Sequence, residues 1–163
     1  MKKITYPIIS IIILIFINAC AGYKPIYTTD LKFRIADYSI KSNKKLGRQI
    51  YSKLYNLSKL SKNDSEVLNV YITVDTTKDK KATAKDSAGK ILEYSIILHS
   101  NIMIKDYLTN EEILNQNYSY STMYKVQDQN SETKKIENKS IESLINKIYQ
   151  NLIIKMSEIM STQ

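Results

Sequence analysis

Tryptophan is absent from these 163 residues, cysteine and histidine occur once each, proline twice and glycine three times. The scarcities remove whole classes of chemistry. Three glycines cannot build a glycine-rich loop whose backbone amides wrap a nucleotide phosphate. One cysteine cannot close a disulfide within the chain, and with a single histidine it cannot supply a structural zinc site. His99, the only imidazole, falls on the polar side of an alternating apolar stretch and reads as an ordinary surface residue. Asp75, Asp79 and Asp86 sit among lysines, where solvated ion pairs are the plain reading. No nucleophile with a base, metal cluster or phosphate loop emerges, and the expectation is a protein that binds rather than catalyses.

The one long apolar run is Ile8 to Ile17, IISIIILIFI, preceded by Lys2 and Lys3 and bounded by Pro7 and Asn18. That is the outline of a secretory signal. It falls short of the roughly 20 apolar residues a helix needs to cross a bilayer. The sequence that ends it, Ile17-Asn18-Ala19-Cys20, resembles the lipobox of bacterial lipoproteins, although Asn18 is not a favoured residue there. The resemblance implies that Cys20 is acylated and becomes the first residue once the signal is removed, with this covalent lipid in place of any cofactor. Two or more fatty chains make such an anchor stable where one is marginal, at about 0.8 kcal/mol per buried methylene. Ala21 in place of Asp implies, within that class, export to the outer membrane. A plain signal, or an uncleaved anchor with a chance cysteine, is the alternative.

The formal charge is +8, and removal of Lys2 and Lys3 with the signal leaves +6. Residues 20–163 suffice for one domain with a modest core. Beyond the inner membrane a basic surface meets anionic lipid or acidic protein and not nucleic acid. Lysine, isoleucine, asparagine and tyrosine are abundant throughout, so a single lysine or tyrosine says little on its own.

Gly22 to Asp30 (GYKPIYTTD) has no period and reads as a lead-in. Phe33 to Ile40 alternates as a strand. Ser42 or Asn43 can cap a following helix whose apolar stripe is Leu46, Ile50, Leu54 and Leu57. Lys62-Asn63-Asp64 breaks that period, and Val67 to Val74 places Leu68, Val70, Ile72 and Val74 on one side of a second strand. Asp75 to Lys90 is polar and reads as a long hairpin connection, or as strand ends carrying a mobile tip. Ile91 to Ile104 is the clearest strand, with Leu92, Tyr94, Ile96, Leu98, Ile102 and Ile104 on one face. Ile113 to Val126 returns, with Leu114, Tyr118, Tyr120, Tyr124 and Val126 opposed to Asn115, Asn117, Ser119 and Ser121. Ser131 can cap a last helix with the stripe Ile136, Ile141, Leu144, Ile145, Ile148, Leu152, Met156 and Ile159, leaving Glu137 among the wet residues.

The order strand, helix, three strands, helix predicts an α+β two-layer sandwich. Two amphipathic helices pack on one face of a four-stranded mixed or antiparallel sheet, and the other face is polar and open. The expected organisation is a signal peptide over 1–19, a lipidated tether over 20–32 and a single domain over 33–163. Lys78, Lys80, Lys81, Lys85 and Lys90 cluster on one connection and are candidate contacts for the phosphates or carboxylates of an anionic lipid. A solvated loop is the alternative.

A lipobox cysteine followed by GYKPIY resembles the start of the lipopolysaccharide-assembly lipoproteins, the LptE (RlpB) family, especially its alphaproteobacterial branch. LGRQIYSKLYNL, DYLTNEEIL and the long final helix follow in that family's order, over essentially the whole chain after the signal. Ile26 stands where leucine is usual, and SETKKIENKSIESL replaces an alanine-rich half-helix. The resemblance implies the same sandwich fold, no catalytic activity, and attachment to the periplasmic side of the outer membrane. It also implies partnership with an LptD-type β-barrel, which the lipoprotein plugs, and with lipopolysaccharide. An auxiliary lipoprotein of a lipid-transport ABC system would share the tether and the charge, and an envelope enzyme with a cryptic site would need His99 or a carboxylate pair.

Overall fold

The computed structural model describes residues 31–59 and 67–160. Cys20, the apolar run before it and the Lys62-Asn63-Asp64 break lie outside them. Strands β1 (Phe33–Ser42), β2 (Leu68–Lys85), β3 (Ile91–Asp106) and β4 (Glu112–Lys125) form one sheet in the order β1-β2-β3-β4. Helix α1 (Lys44–Ser58) follows β1, and α2 (Asn130–Met160) follows β4. β1 runs parallel to β2, and the remaining pairs are antiparallel. A parallel pair needs a crossover, and α1 belongs to it.

Alternation and helical period meet in one core. Val70, Ile72 and Val74, with Ile96, Leu98, Ile102 and Ile104, line the inner face of the sheet and are fully buried. Leu46, Ile50, Leu54 and Leu57 of α1 close over them, as do Leu144, Ile145, Ile148, Leu152 and Met156 of α2. Each such side chain contributes roughly 1.5–3 kcal/mol by leaving water. Ile153, outside the expected stripe, is buried as well. The α+β sandwich expected from periodicity is the fold observed.

Local chemistry sets the boundaries. Asn43 caps α1, its Oδ1 accepting from the Leu46 amide at 3.2 Å. Ser42 instead takes a left-handed backbone (φ 52°) and donates its hydroxyl to Asp75 at 2.5 Å. Gly47 marks a close approach of α1 to β1, because a Cβ there would run into Ile40 Cγ2. α2 begins one residue before Ser131, which lies in the first turn and not at the cap. Thr133 ties that turn to the incoming chain by accepting from the Gln127 amide at 2.9 Å.

Two elements are decided by the structure where the sequence reading was wrong or divided. A bulge between Ile35 and Asp37 shifts the alternation of β1 and brings Tyr38 over α1, stacked on Tyr51 with ring centroids 4.0 Å apart. β2 does not stop at Val74 but continues to Lys85, as the strand-end reading of this stretch has it and against the hairpin-connection reading, pairing Lys80 with Ile96 and Lys81 with Ser95. β3 is long and apolar, and its backbone groups need a partner along their whole length. That demand overrides the weak strand propensity of DTTKDKKATAK, and the connection shrinks to the turn before Lys90. In it Asp86 Oδ1 accepts from the amides of Ala88 and Lys90, and Gly89 takes φ 81°.

Candidate functional site

The inner row of β2 changes character along its length: Val70, Ile72, Val74, then Thr76, then Lys78 and Lys80. Thr76 and Ser100 close the apolar zone with a buried hydroxyl pair at 2.9 Å. Beyond it, Glu137 of α2 meets the lysines. Its carboxylate accepts from Lys78 Nζ at 3.1 Å, Lys80 Nζ at 2.7 Å and the Tyr124 hydroxyl at 2.9 Å. Burial acts to raise the Glu137 pKa, but the hydrogen bonds from Lys80, Lys78 and Tyr124 prevail and hold it at about 2. Lys80 also lies over the Tyr94 ring at 4.1 Å, and Tyr94 stacks on Tyr124. Although burial opposes its charge, the bond to Glu137 raises its pKa.

The five candidate lysines therefore divide. Lys78 and Lys80 face the helices and share one carboxylate, which leaves the trio with one excess positive charge. Lys80 and Lys90 line a common cavity of about 360 Å³ with Lys134, a residue the sequence did not single out. Lys81 and Lys85 stand exposed near the end of β2 and line neither this cavity nor the next. The larger space, a groove of about 750 Å³ between α1 and α2, is lined by Lys45, Lys53, Lys78, Lys135 and Lys139 above buried Leu46, Ile141 and Ile145, with Glu137 and Glu142 as its acids. Both cavities border Glu137. Nothing in the helical period marks Glu137, whose neighbours Lys134, Asn138 and Lys139 are polar, and only the approach of β2 takes it out of the wet face.

The open face of the sheet mixes amides and hydroxyls with charges of both signs, Asp75, Asp79, Lys81, Glu93, Lys105 and Lys125. Asn101 Nδ2 donates to Asn115 at 3.0 Å and Asn117 at 2.9 Å, while His99 Nε2 lies 3.6 Å from Asp79. Thr77 and Ser119 flank His99 across the strands. Tyr118 points to the core side, with a buried hydroxyl lacking a partner among the described residues. Burial, with the neighbouring Tyr120, pushes its phenol up to about 12. No group of three or more metal-ligating side chains occurs among the described residues.

No family model and no curated relative matches the sequence. Solved structures do. The chain is similar to uncharacterized lipoprotein B from Nitrosomonas europaea, with a TM-score of 0.56 at 16% identity over 86% of this chain and 93% of that one. It is also similar to a minor lipoprotein from Acinetobacter baumannii, with a TM-score of 0.54 at 16% identity over 78% and 93% of the two chains. At that identity the likeness is one of fold. Two helices on one face of a four-stranded sheet is thus a fold shared with bacterial lipoproteins.

Proposed function

We propose that this chain is a non-catalytic outer-membrane lipoprotein, held by lipid on Cys20, that seats in and plugs an LptD-type β-barrel and takes part in placing lipopolysaccharide at the cell surface. The observation that carries the reading is the asymmetry of the sandwich. Both helices cover one face, and the other presents Asn101, Asn115, Asn117 and Ser119, able to give and accept hydrogen bonds, together with charges of both signs at Asp75, Asp79, Lys81, Glu93, Lys105 and Lys125. A barrel lumen is polar. A surface of amides, hydroxyls and charges of both signs suits such a lumen.

The GYKPIY start after a lipobox cysteine supports the reading from the sequence side, and the shared fold with lipoproteins supports it from the structural side. The anionic headgroups of lipopolysaccharide suit the basic end of the sheet, where Lys81, Lys85 and Lys90 are not committed to Glu137. Lys78 and Lys80 hold the α2 junction beneath them.

Affinity purification of tagged full-length protein from detergent-solubilised outer membranes tests the proposal. A stoichiometric large β-barrel of the lipopolysaccharide-assembly type is expected to co-elute. Recovery of soluble or inner-membrane transport subunits alone would replace the reading with that of an auxiliary lipoprotein.

A further inference from the structure

The chain enters the sandwich at one end, where Leu31 is already buried in the core. Lys32 O accepts from the Leu68 amide at 3.1 Å, and the carbonyl of the next residue, Asn69, accepts from the Tyr107 amide at 2.9 Å. Two backbone bonds thus join the entering chain to the turn between β3 and β4. That turn is held by Asp106, whose Oδ1 accepts from the amides of Leu108 at 2.7 Å and Thr109 at 2.8 Å, while Asn110 takes φ 61°. Such turn chemistry asks nothing of the side chains at 107 and 108. Yet Tyr107 is 51% exposed and Leu108 81%, the most exposed large apolar side chain among the described residues. Because α1 runs back along β1, its last turns lie at the same end, where Tyr55 is exposed with Lys59 Nζ over its ring at 4.4 Å.

We infer that this end is a second membrane contact, at which Tyr107 and Leu108 dip into the headgroup layer of the leaflet that holds Cys20. The inference rests on the lipid tether of the proposed function and not on the barrel. Leu31 is eleven residues beyond Cys20, a reach of at most about 40 Å with the chain fully extended. β2, from Leu68 to Lys85, carries the lysine-rich hairpin about 55 Å away from the entering chain. Standing on that basic end would put Leu31 farther from the leaflet than the tether reaches. The domain therefore meets the leaflet on its tether end or on a flank, and the tip decides between them. An exposed leucine gains by leaving water, and a tyrosine suits a boundary that is apolar on one side and wet on the other. Glu111 and Glu112, exposed on the return from the turn, oppose attraction to anionic headgroups. The contact is apolar and shallow.

The chain has no tryptophan, so one introduced indole reports alone. Full-length lipidated protein carrying Leu108→Trp, reconstituted in phosphatidylcholine vesicles with brominated acyl chains, tests the inference. Flotation shows membrane attachment, and circular dichroism shows that each variant is folded. Emission is expected to shift to the blue and to be quenched relative to unbrominated vesicles, at about 0.1 M and at about 1 M salt alike. Leu92→Trp, exposed at the hairpin end of β3, is expected to show neither change. Adding Tyr107→Asp to Leu108→Trp is expected to reverse most of the quenching. Protein that floats with the indole of Leu108→Trp unquenched overturns the inference and leaves the tether standing. So does quenching that Leu92→Trp shares, that high salt removes, or that Tyr107→Asp leaves unchanged. Protein that does not float overturns the tether and the inference together.

Discussion

Lys80 of β2 donates to Glu137 of α2 at 2.7 Å, joining residues 57 positions apart at the point where the core gives way to the basic end of the sheet. Lys78 and Tyr124 converge on the same carboxylate, which leaves α2 pinned to β2 and β4 by one side chain. Glu137→Gln keeps an acceptor but removes the charge that the two lysines share. Loss of about 2 kcal/mol of stability is expected, below the cost of breaking a fully buried pair because the lysines are partly exposed. Chemical denaturation checks it. An unchanged midpoint would show that the junction is held by apolar contacts alone.

The same carboxylate makes stability depend on pH. Its pKa is about 2 in the fold against an ordinary value of 4.5, so between these values the unfolded chain binds the proton and the folded chain does not. The contribution is present above pH 4.5 and is lost as pH falls toward 2. Wild type is expected to show a steeper fall in melting temperature over this window than Glu137→Gln. Parallel curves would exclude Glu137 as the titrating group.

Gly47 tests the α1 contact. Alanine is the better helix former by about 1 kcal/mol, yet its methyl group would strike Ile40 Cγ2 on β1. Gly47→Ala is therefore expected to destabilise the protein by about 1–2 kcal/mol, in the range of an overpacked core, and Ile40→Ala in the same chain is expected to recover part of the loss. A stabilised single variant would mean that α1 moves freely off the sheet.

Cys20→Ser tests the tether. The proposal expects loss of lipid labelling and release from membranes. Retention of the variant on membranes would point to the apolar run before it as an uncleaved anchor.

Exchange of Lys81, Lys85 and Lys90 for Glu leaves the Glu137 junction intact and reverses the uncommitted charge. Binding to lipopolysaccharide is expected to weaken at low salt, and the difference to shrink as ionic strength rises from about 0.1 M to about 1 M, where the screening length falls from about 10 Å to about 3 Å. Unchanged binding, with unchanged stability, would return these lysines to the role of a solvated hairpin.

Much of this architecture was legible in advance, for a physical reason. The alternation of Ile96, Leu98, Ile102 and Ile104 and the stripe of Leu144, Ile148 and Leu152 report which side of an element leaves water, and burial dominates folding. Capping was half legible, since Ser42 and Asn43 are both competent and only the backbone at Ser42 decides between them. The site was read less well. A lysine-rich stretch looks like a loop until an apolar strand of matching length lies beside it, and the bulge in β1 reverses faces that simple alternation would assign.

The sequence by itself determined the two layers, the element order, the one apolar and one polar face of the sheet, and the unique cysteine after an apolar run. Those are properties of period and composition, carried by each segment alone. Only the tertiary structure decided that β2 runs on to Lys85, and that Lys78 and Lys80 turn inward to Glu137 while Lys81 and Lys85 remain outside. Each of these depends on which groups meet across the fold, and a buried charge or an unpaired backbone edge acquires its cost only from what stands opposite it.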